Sequence, residues 1–127
     1  MDELSTDDAP ESIGPYSQGT RVGTQIFVSG QGPLDPDTGD VVSEDISEQT
    51  ERALQNAEAI LEAGGASLDD VVKATVFVTD MDNDDAVNEV YGEYMSDPFP
   101  ARSAVEVGDL PGPFNVEIEV IAEVADT

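Results

Sequence analysis

Between Val116 and Val124 the chain alternates. Val116, Ile118, Val120, Ala122 and Val124 fall on one side, and Glu117, Glu119, Ile121 and Glu123 on the other. A period of two predicts a strand with one greasy and one acidic face. Val71 to Thr79 is dense in β-branched residues and predicts a second, more deeply buried strand. Arg102–Val107 predicts a third, joined to the last through Leu110-Pro111-Gly112-Pro113. Arg21-Val22 and Gln25–Ser29 flank Gly23-Thr24 and read as a hairpin that Gly30-Gln31-Gly32-Pro33 then breaks. Pro36-Asp37-Thr38-Gly39 is a turn.

Helical spacing governs two other stretches. Ile46, Ala53, Leu54, Ala57, Ile60 and Leu61 recur on one face, opposite Glu48, Glu51, Glu58 and Glu62. Ser47 is the expected N-cap and Gly64-Gly65 the stop. Asp69-Asp70 is expected to begin one further turn. Ala86, Val87, Val90, Tyr91, Tyr94 and Met95 form a second stripe, with Asp82 as its cap and Asp97-Pro98 as its end. The order is β-β-α-β-α-β-β, an α+β fold with two helices on one face of a mixed sheet. Residues 1–10 are polar and acidic and read as a loose lead-in to a single domain spanning 1–127.

The Val71–Thr79 strand carries apolar residues in both alternating sets: Val72, Ala74, Val76 and Val78 in one, Val71 and Phe77 in the other. No helix is left to cover a second face. The expectation is therefore association of copies through the open face of the sheet.

Composition narrows the chemistry. The chain has no His, Cys or Trp, so Ser-His-Asp and Cys-His nucleophiles, Cys/His zinc sites and disulfides are absent. Against 29 Asp and Glu stand only 4 Lys and Arg, a formal net charge of −25. Acid spread along the whole chain reads as a globular surface adapted to a very salty cytoplasm, because molar salt shortens the Debye length to about 3 Å. The same charge argues against nucleic acid as a partner. No apolar run is long enough to span a membrane, and Met1-Asp2-Glu3 carries no positive leader region. The expectation is a soluble cytoplasmic protein.

Two acidic runs imitate calcium loops and fail. The run from Asp80 has Asp85 where glycine is required and Tyr91 where glutamate is required; the run from Asp35 has Ile46 at its twelfth position. Gly30-Gln31-Gly32 is followed by Pro33 rather than a helix and reads as a strand-end turn. The scarcity of cations makes Arg102, at the entrance of its strand, a candidate for gripping a small carboxylate, since its planar fork of donors matches one. Pairing with neighbouring acids is the plainer reading. Glu117 and Glu119 form either a solvated face or, if the sheet's second face is covered, buried acids in need of partners. Tyr16, on the turn Gly14-Pro15-Tyr16-Ser17, offers a phenol that can hydrogen-bond or simply pack.

In one order along the chain run Gly14-Pro15-Tyr16-Ser17-Gln18, Phe27-Val28-Ser29-Gly30-Gln31, Asp35-Pro36-Asp37-Thr38-Gly39, Val71-Val72-Lys73-Ala74-Thr75-Val76-Phe77-Val78, Val87-Asn88-Glu89-Val90-Tyr91, Pro100-Ala101-Arg102-Ser103 and Val116-Glu117-Ile118-Glu119. The series, from about Ala9 to Glu123, resembles the Rid (YjgF) family of reactive intermediate deaminases. The resemblance implies a chorismate-mutase-like fold and a homotrimer with a central barrel and three clefts between subunits. It implies hydrolysis of 2-imino acids such as 2-iminopropanoate and 2-iminobutanoate, released by pyridoxal-phosphate dehydratases, to 2-keto acids and ammonia, with no metal or organic cofactor. Arg102 matches the carboxylate-binding arginine and Glu117 the glutamate that positions water. Tyr16, Ser29, Gly30 and Asn88 match ligand contacts, Gly30 through its backbone. Ala104 stands where many relatives carry Cys, at a position that contacts ligand through its backbone. A trimeric binder or sensor of small 2-keto acids would use the same grip without turnover. Endoribonuclease action, a label attached to the family, is poorly served by the charge and the lack of His.

Overall fold

The computed structural model describes residues 1–125. Its elements are β1 (Asp2–Leu4), β2 (Gly19–Val22), β3 (Gln25–Gln31), α1 (Ile46–Ala63), β4 (Val71–Val78), α2 (Asp84–Tyr94), β5 (Ala101–Glu106) and β6 (Val116–Glu123). They form one six-stranded sheet in the order β1-β2-β3-β6-β4-β5. All neighbours are antiparallel except β4 and β5, which run parallel. The last strand in sequence thus lies at the centre, between β3 and β4.

Register sorts the side chains. Across β4 and β6, Ala74 lies opposite Val120, Val76 opposite Ile118 and Val78 opposite Val116. All six are buried, on the face covered by α1 and α2, whose Leu54, Ala57, Ile60, Leu61 and Val87 are inaccessible to solvent. Each large aliphatic side chain so buried contributes roughly 1.5–3 kcal/mol. The other face carries the pairs Lys73–Ile121, Thr75–Glu119 and Phe77–Glu117; no helix covers it. Among the described residues no helix is long and apolar enough to cross a membrane.

Several local expectations change. A register shift between Val71 and Lys73 puts Val71 on the buried side and leaves Val72 half exposed, so Val72 does not belong with Ala74, Val76 and Val78. The open face of β4 is accordingly more polar than strict alternation predicts. The N-cap of α1 is Asp45, not Ser47: its carboxylate accepts from the Glu48 N–H at 3.0 Å, while Ile46 is already helical. Asp80 rather than Asp82 caps the next helical segment, accepting from the Asp82 N–H at 2.9 Å ahead of a short 3₁₀ turn that leads into α2. Gly30 and Gln31 extend β3 instead of ending it, through a bulge between Val28 and Gln31.

The start of the chain is not loose. β1 pairs with β2, and Leu4 is buried opposite Gly19. A side chain at position 19 would come within 2.7 Å of Ile60, so glycine is what lets β2 lie against α1. Gln18 then fastens residues 6–10. Its amide nitrogen donates to the carbonyls of Thr6, Ala9 and Pro10 at 3.1, 3.2 and 2.8 Å, and its oxygen accepts from the Thr6 N–H at 2.8 Å.

The loop after β3 is held the same way. Asn56, fully buried on α1, donates to the carbonyls of Gly32 and Leu34 at 3.1 and 2.9 Å and accepts from Arg52. Replacing Asn56 by Ala leaves two inward carbonyls unpaired, at about 1–3 kcal/mol each. Equilibrium urea unfolding of N56A is expected to show a loss of about 2–6 kcal/mol, with the same far-ultraviolet dichroism as the parent below the transition.

Candidate functional site

Glu117 leaves the open face of β6 next to the bulge in β3, one residue beyond the Gln31–Ile118 pair. The bulge places Ser29 and Gly30 across from Glu119, and the Glu117 carboxylate lies directly against Gly30: a Cβ at that position would overlap Glu117 Oε1. Glycine is required here by space, not by backbone angle. The two residues share a cleft of about 500 Å³ with Tyr16 and Ser29, closed on its apolar side by Ile13, Leu34 and Phe114. The Tyr16 phenol is half exposed and its turn is held by a hydrogen bond from its N–H to the Gly14 carbonyl at 2.8 Å. Ser29 Oγ donates to the Ser17 carbonyl at 2.6 Å, tying the Tyr16 segment to β3.

The cleft has a distinct electrostatic character. Burial pushes the Glu117 carboxyl above its ordinary value, and the negative charge of Glu119 pushes it the same way. A neighbouring guanidinium would lower it. Within one chain Arg102 has no such effect, because it lies elsewhere.

Arg102 is in register with Ala74 on β4, which is itself opposite Val120. Its side chain therefore leaves the edge strand β5 on the helix side and meets α2. Nη2 donates to Asn88 Oδ1, and the guanidinium carbon stands 4.7 Å over the centre of the Tyr91 ring. Asn88 Nδ2 reaches Asp84 Oδ2 at 3.4 Å. Ala104, two residues further along the same exposed edge, lies opposite Val76.

Of the residues singled out in the sequence, Tyr16, Ser29, Gly30 and Glu117 thus converge in one cleft, and Asn88 and Arg102 meet at another place with Ala104 beside them. The two sets are not joined. Arg102 and Glu117 are two strands apart, about 10 Å, and offset by three residues, about another 10 Å, with side chains on opposite faces of the sheet. Arg102 also does not follow its plainer reading, since its hydrogen-bond partner is a neutral amide rather than a carboxylate.

Two features escaped sequence reasoning. Tyr91 reads in the sequence only as one member of an apolar stripe, yet its ring carries Arg102. Lys73 faces the open side of the sheet and donates to Ser103 Oγ at 2.8 Å, strapping β4 to β5. The spacing Asn88-Glu89-Val90-Tyr91 could have shown the first, because residues three apart share a helix face. Among the described residues no group of three or more acids is placed to hold a metal ion.

Comparison with known proteins agrees with the fold and the motifs. A RutC family protein of Pyrococcus abyssi is 54% identical over 94% of each chain. The 2-iminobutanoate/2-iminopropanoate deaminase of Salmonella typhimurium is 46% identical, again over 94% of each. The crystal structure of Escherichia coli TdcF with bound serine superposes with a TM-score of 0.93 at 38% identity, covering 98% of this chain and 100% of that one. The fold is the chorismate-mutase-like α+β arrangement. The family model described as Endoribonuclease L-PSP matches residues 6–124, and the chain belongs to this family, the Rid (YjgF) family that its motifs resemble.

Proposed function

We propose that the protein is a cofactor-independent hydrolase of 2-imino acids, working in clefts between copies of the chain assembled as a homotrimer through the open sheet face. The observation that carries this reading is the separation of charges. A carboxylate with a raised pKa sits in a cleft without a cation, and a guanidinium held only by neutral groups sits on an exposed edge. Each is half of a site. A neighbouring copy that brings its β5 edge to the Glu117 cleft would complete both. The 46% identical relative named as a 2-iminobutanoate/2-iminopropanoate deaminase and the serine-bound TdcF support a small substrate bearing a carboxylate and a nitrogen.

In this reading Arg102 grips the substrate carboxylate through paired hydrogen bonds, with the Gly30 and Ala104 backbone amides beside it. Tyr16, Ser29 and Asn88 line the same space. The grip fixes the C=N carbon and makes hydration a local event. Glu117 orients a water and accepts one of its protons as the water oxygen bonds to carbon and the C=N electron pair moves to nitrogen, and it then gives that proton to the nitrogen and is again a carboxylate. The resulting aminoalcohol collapses: the C–N bond breaks, ammonia leaves and the carbonyl forms. One imine and one water give one 2-keto acid and one ammonia. Pyridoxal-phosphate dehydratases supply such imines.

Coupled to a purified threonine dehydratase in molar KCl, the protein is expected to speed keto acid and ammonia release. Removing two charge-assisted hydrogen bonds in R102A should cost at least about a hundredfold in kcat/KM. E117Q should lose turnover yet bind 2-oxobutanoate with little change in Kd by calorimetry. An E117Q that still speeds hydrolysis defeats the catalytic role and leaves a binder. Sedimentation should give about three times the 13.4 kDa chain mass, and a stable monomer would refute the shared cleft.

The pH profile has a fixed sign. A base acts only when ionised, so activity falls as pH drops through the Glu117 pKa. Because burial and Glu119 both raise that pKa, the acid limb should lie above that of an ordinary glutamate. Removing the neighbouring charge in E119Q should shift the limb to lower pH, measured as kcat/KM against pH.

A further inference from the structure

The α2 face turned towards β5 presents three side chains in sequence. Asp84, Asn88 and Tyr91 are spaced i, i+4 and i+7 and so share one side of the helix. Asp84 accepts from Asn88, Asn88 accepts from Arg102, and the Tyr91 ring underlies the guanidinium. Tyr91 is only 6% exposed, so its ring is fixed by the core. Burial raises its phenol pKa while the Arg102 charge opposes the rise, which keeps the ring neutral beneath the cation.

Holding the cation over a ring leaves donors for a ligand. A guanidinium carries five N–H groups, all in its own plane. Asn88 takes one at Nη2, and the Tyr91 ring beneath the guanidinium carbon offers a π face rather than a charged acceptor. A carboxylate partner would neutralise the charge; an aromatic face holds the side chain and leaves the charge available.

We propose that Tyr91 is a positioning residue for Arg102, its π face holding the guanidinium in the orientation that receives the substrate carboxylate. This rests on Arg102 being the carboxylate anchor. The ring acts before substrate arrives, by removing the rotational freedom that a long side chain on an exposed edge strand would otherwise lose on binding. Its loss should therefore appear in binding and not in the chemical step.

The Tyr91 hydroxyl is buried and has no hydrogen-bond partner among the described residues, so phenylalanine at this position breaks no hydrogen bond. Y91F is thus a suitable parent for a series carrying difluorophenylalanine and trifluorophenylalanine, which keep the shape of the ring and drain its π face. Kd for 2-oxobutanoate should rise stepwise along the series, about 3- to 30-fold in total, and KM for the imine should rise with it. The kcat should stay within about twofold of the parent, and the melting temperature should hold. Y91L should match the most fluorinated ring in KM, with Asn88 still in place. A flat Kd series alongside an R102A that does bind weakly overturns the positioning role and spares the anchor. Unchanged binding in R102A overturns the anchor itself. A fall in kcat with constant KM also overturns the proposal, since it would put Tyr91 in the chemical step.

Discussion

The alternation along β6 is the constraint on which the rest of the molecule depends. This strand is paired on both sides, so its register with β3 and β4 sets which residues of all three enter the core. Its aliphatic set, Val116, Ile118, Val120 and Ala122, is buried under the helices. Its acidic set is thereby forced to the opposite face. A slip of one residue would put three glutamates into the core and the aliphatics into water. The position of Glu117 is therefore a consequence of core packing and needs no separate device. What is local is the room made for its carboxylate: a bulge in β3 and a residue without a side chain, Gly30.

Much of this was legible in the chain because it rests on period and turn chemistry. The strand β6, both helices, the Gly64-Gly65 stop and the turn at Asp35–Gly39 follow from residues close in sequence. The misreadings share a physical cause. Val72 changes side because β4 bulges opposite Ala122, and a bulge leaves no mark in composition. The segment from Met1 to Pro10 is ordered because Gln18 bonds to three of its carbonyls, a contact between residues that propensity treats as independent. Asp45 and Asp80 outcompete Ser47 and Asp82 as caps because a cap is fixed by where the first turn begins.

The candidate site divides in the same way. Motif order along the chain named Tyr16, Ser29, Gly30, Asn88, Arg102, Ala104 and Glu117, and four of the seven meet in one cleft. That Arg102 and Glu117 point away from each other could not be read from the sequence, because it depends on β5 pairing with β4 in parallel at the edge. In a chain of charge −25, each cation has a distinct task. Arg21 closes the end of α1 by donating to the Gly64 carbonyl at 2.7 Å, Arg52 holds Asn56, and Lys73 straps two strands. Among the described residues Arg102 alone is seated over an aromatic ring.

The outer side of β5 carries a further consequence. The strand ends the sheet, five of its six residues are exposed with Arg102 the exception, and Val105 is a large apolar side chain among them. Its outward N–H and C=O groups form a template onto which any extended peptide could add by backbone pairing. At a charge of −25 repulsion between copies opposes such addition in dilute buffer, and molar salt, which screens that repulsion, is the condition under which this edge is most open to strand addition.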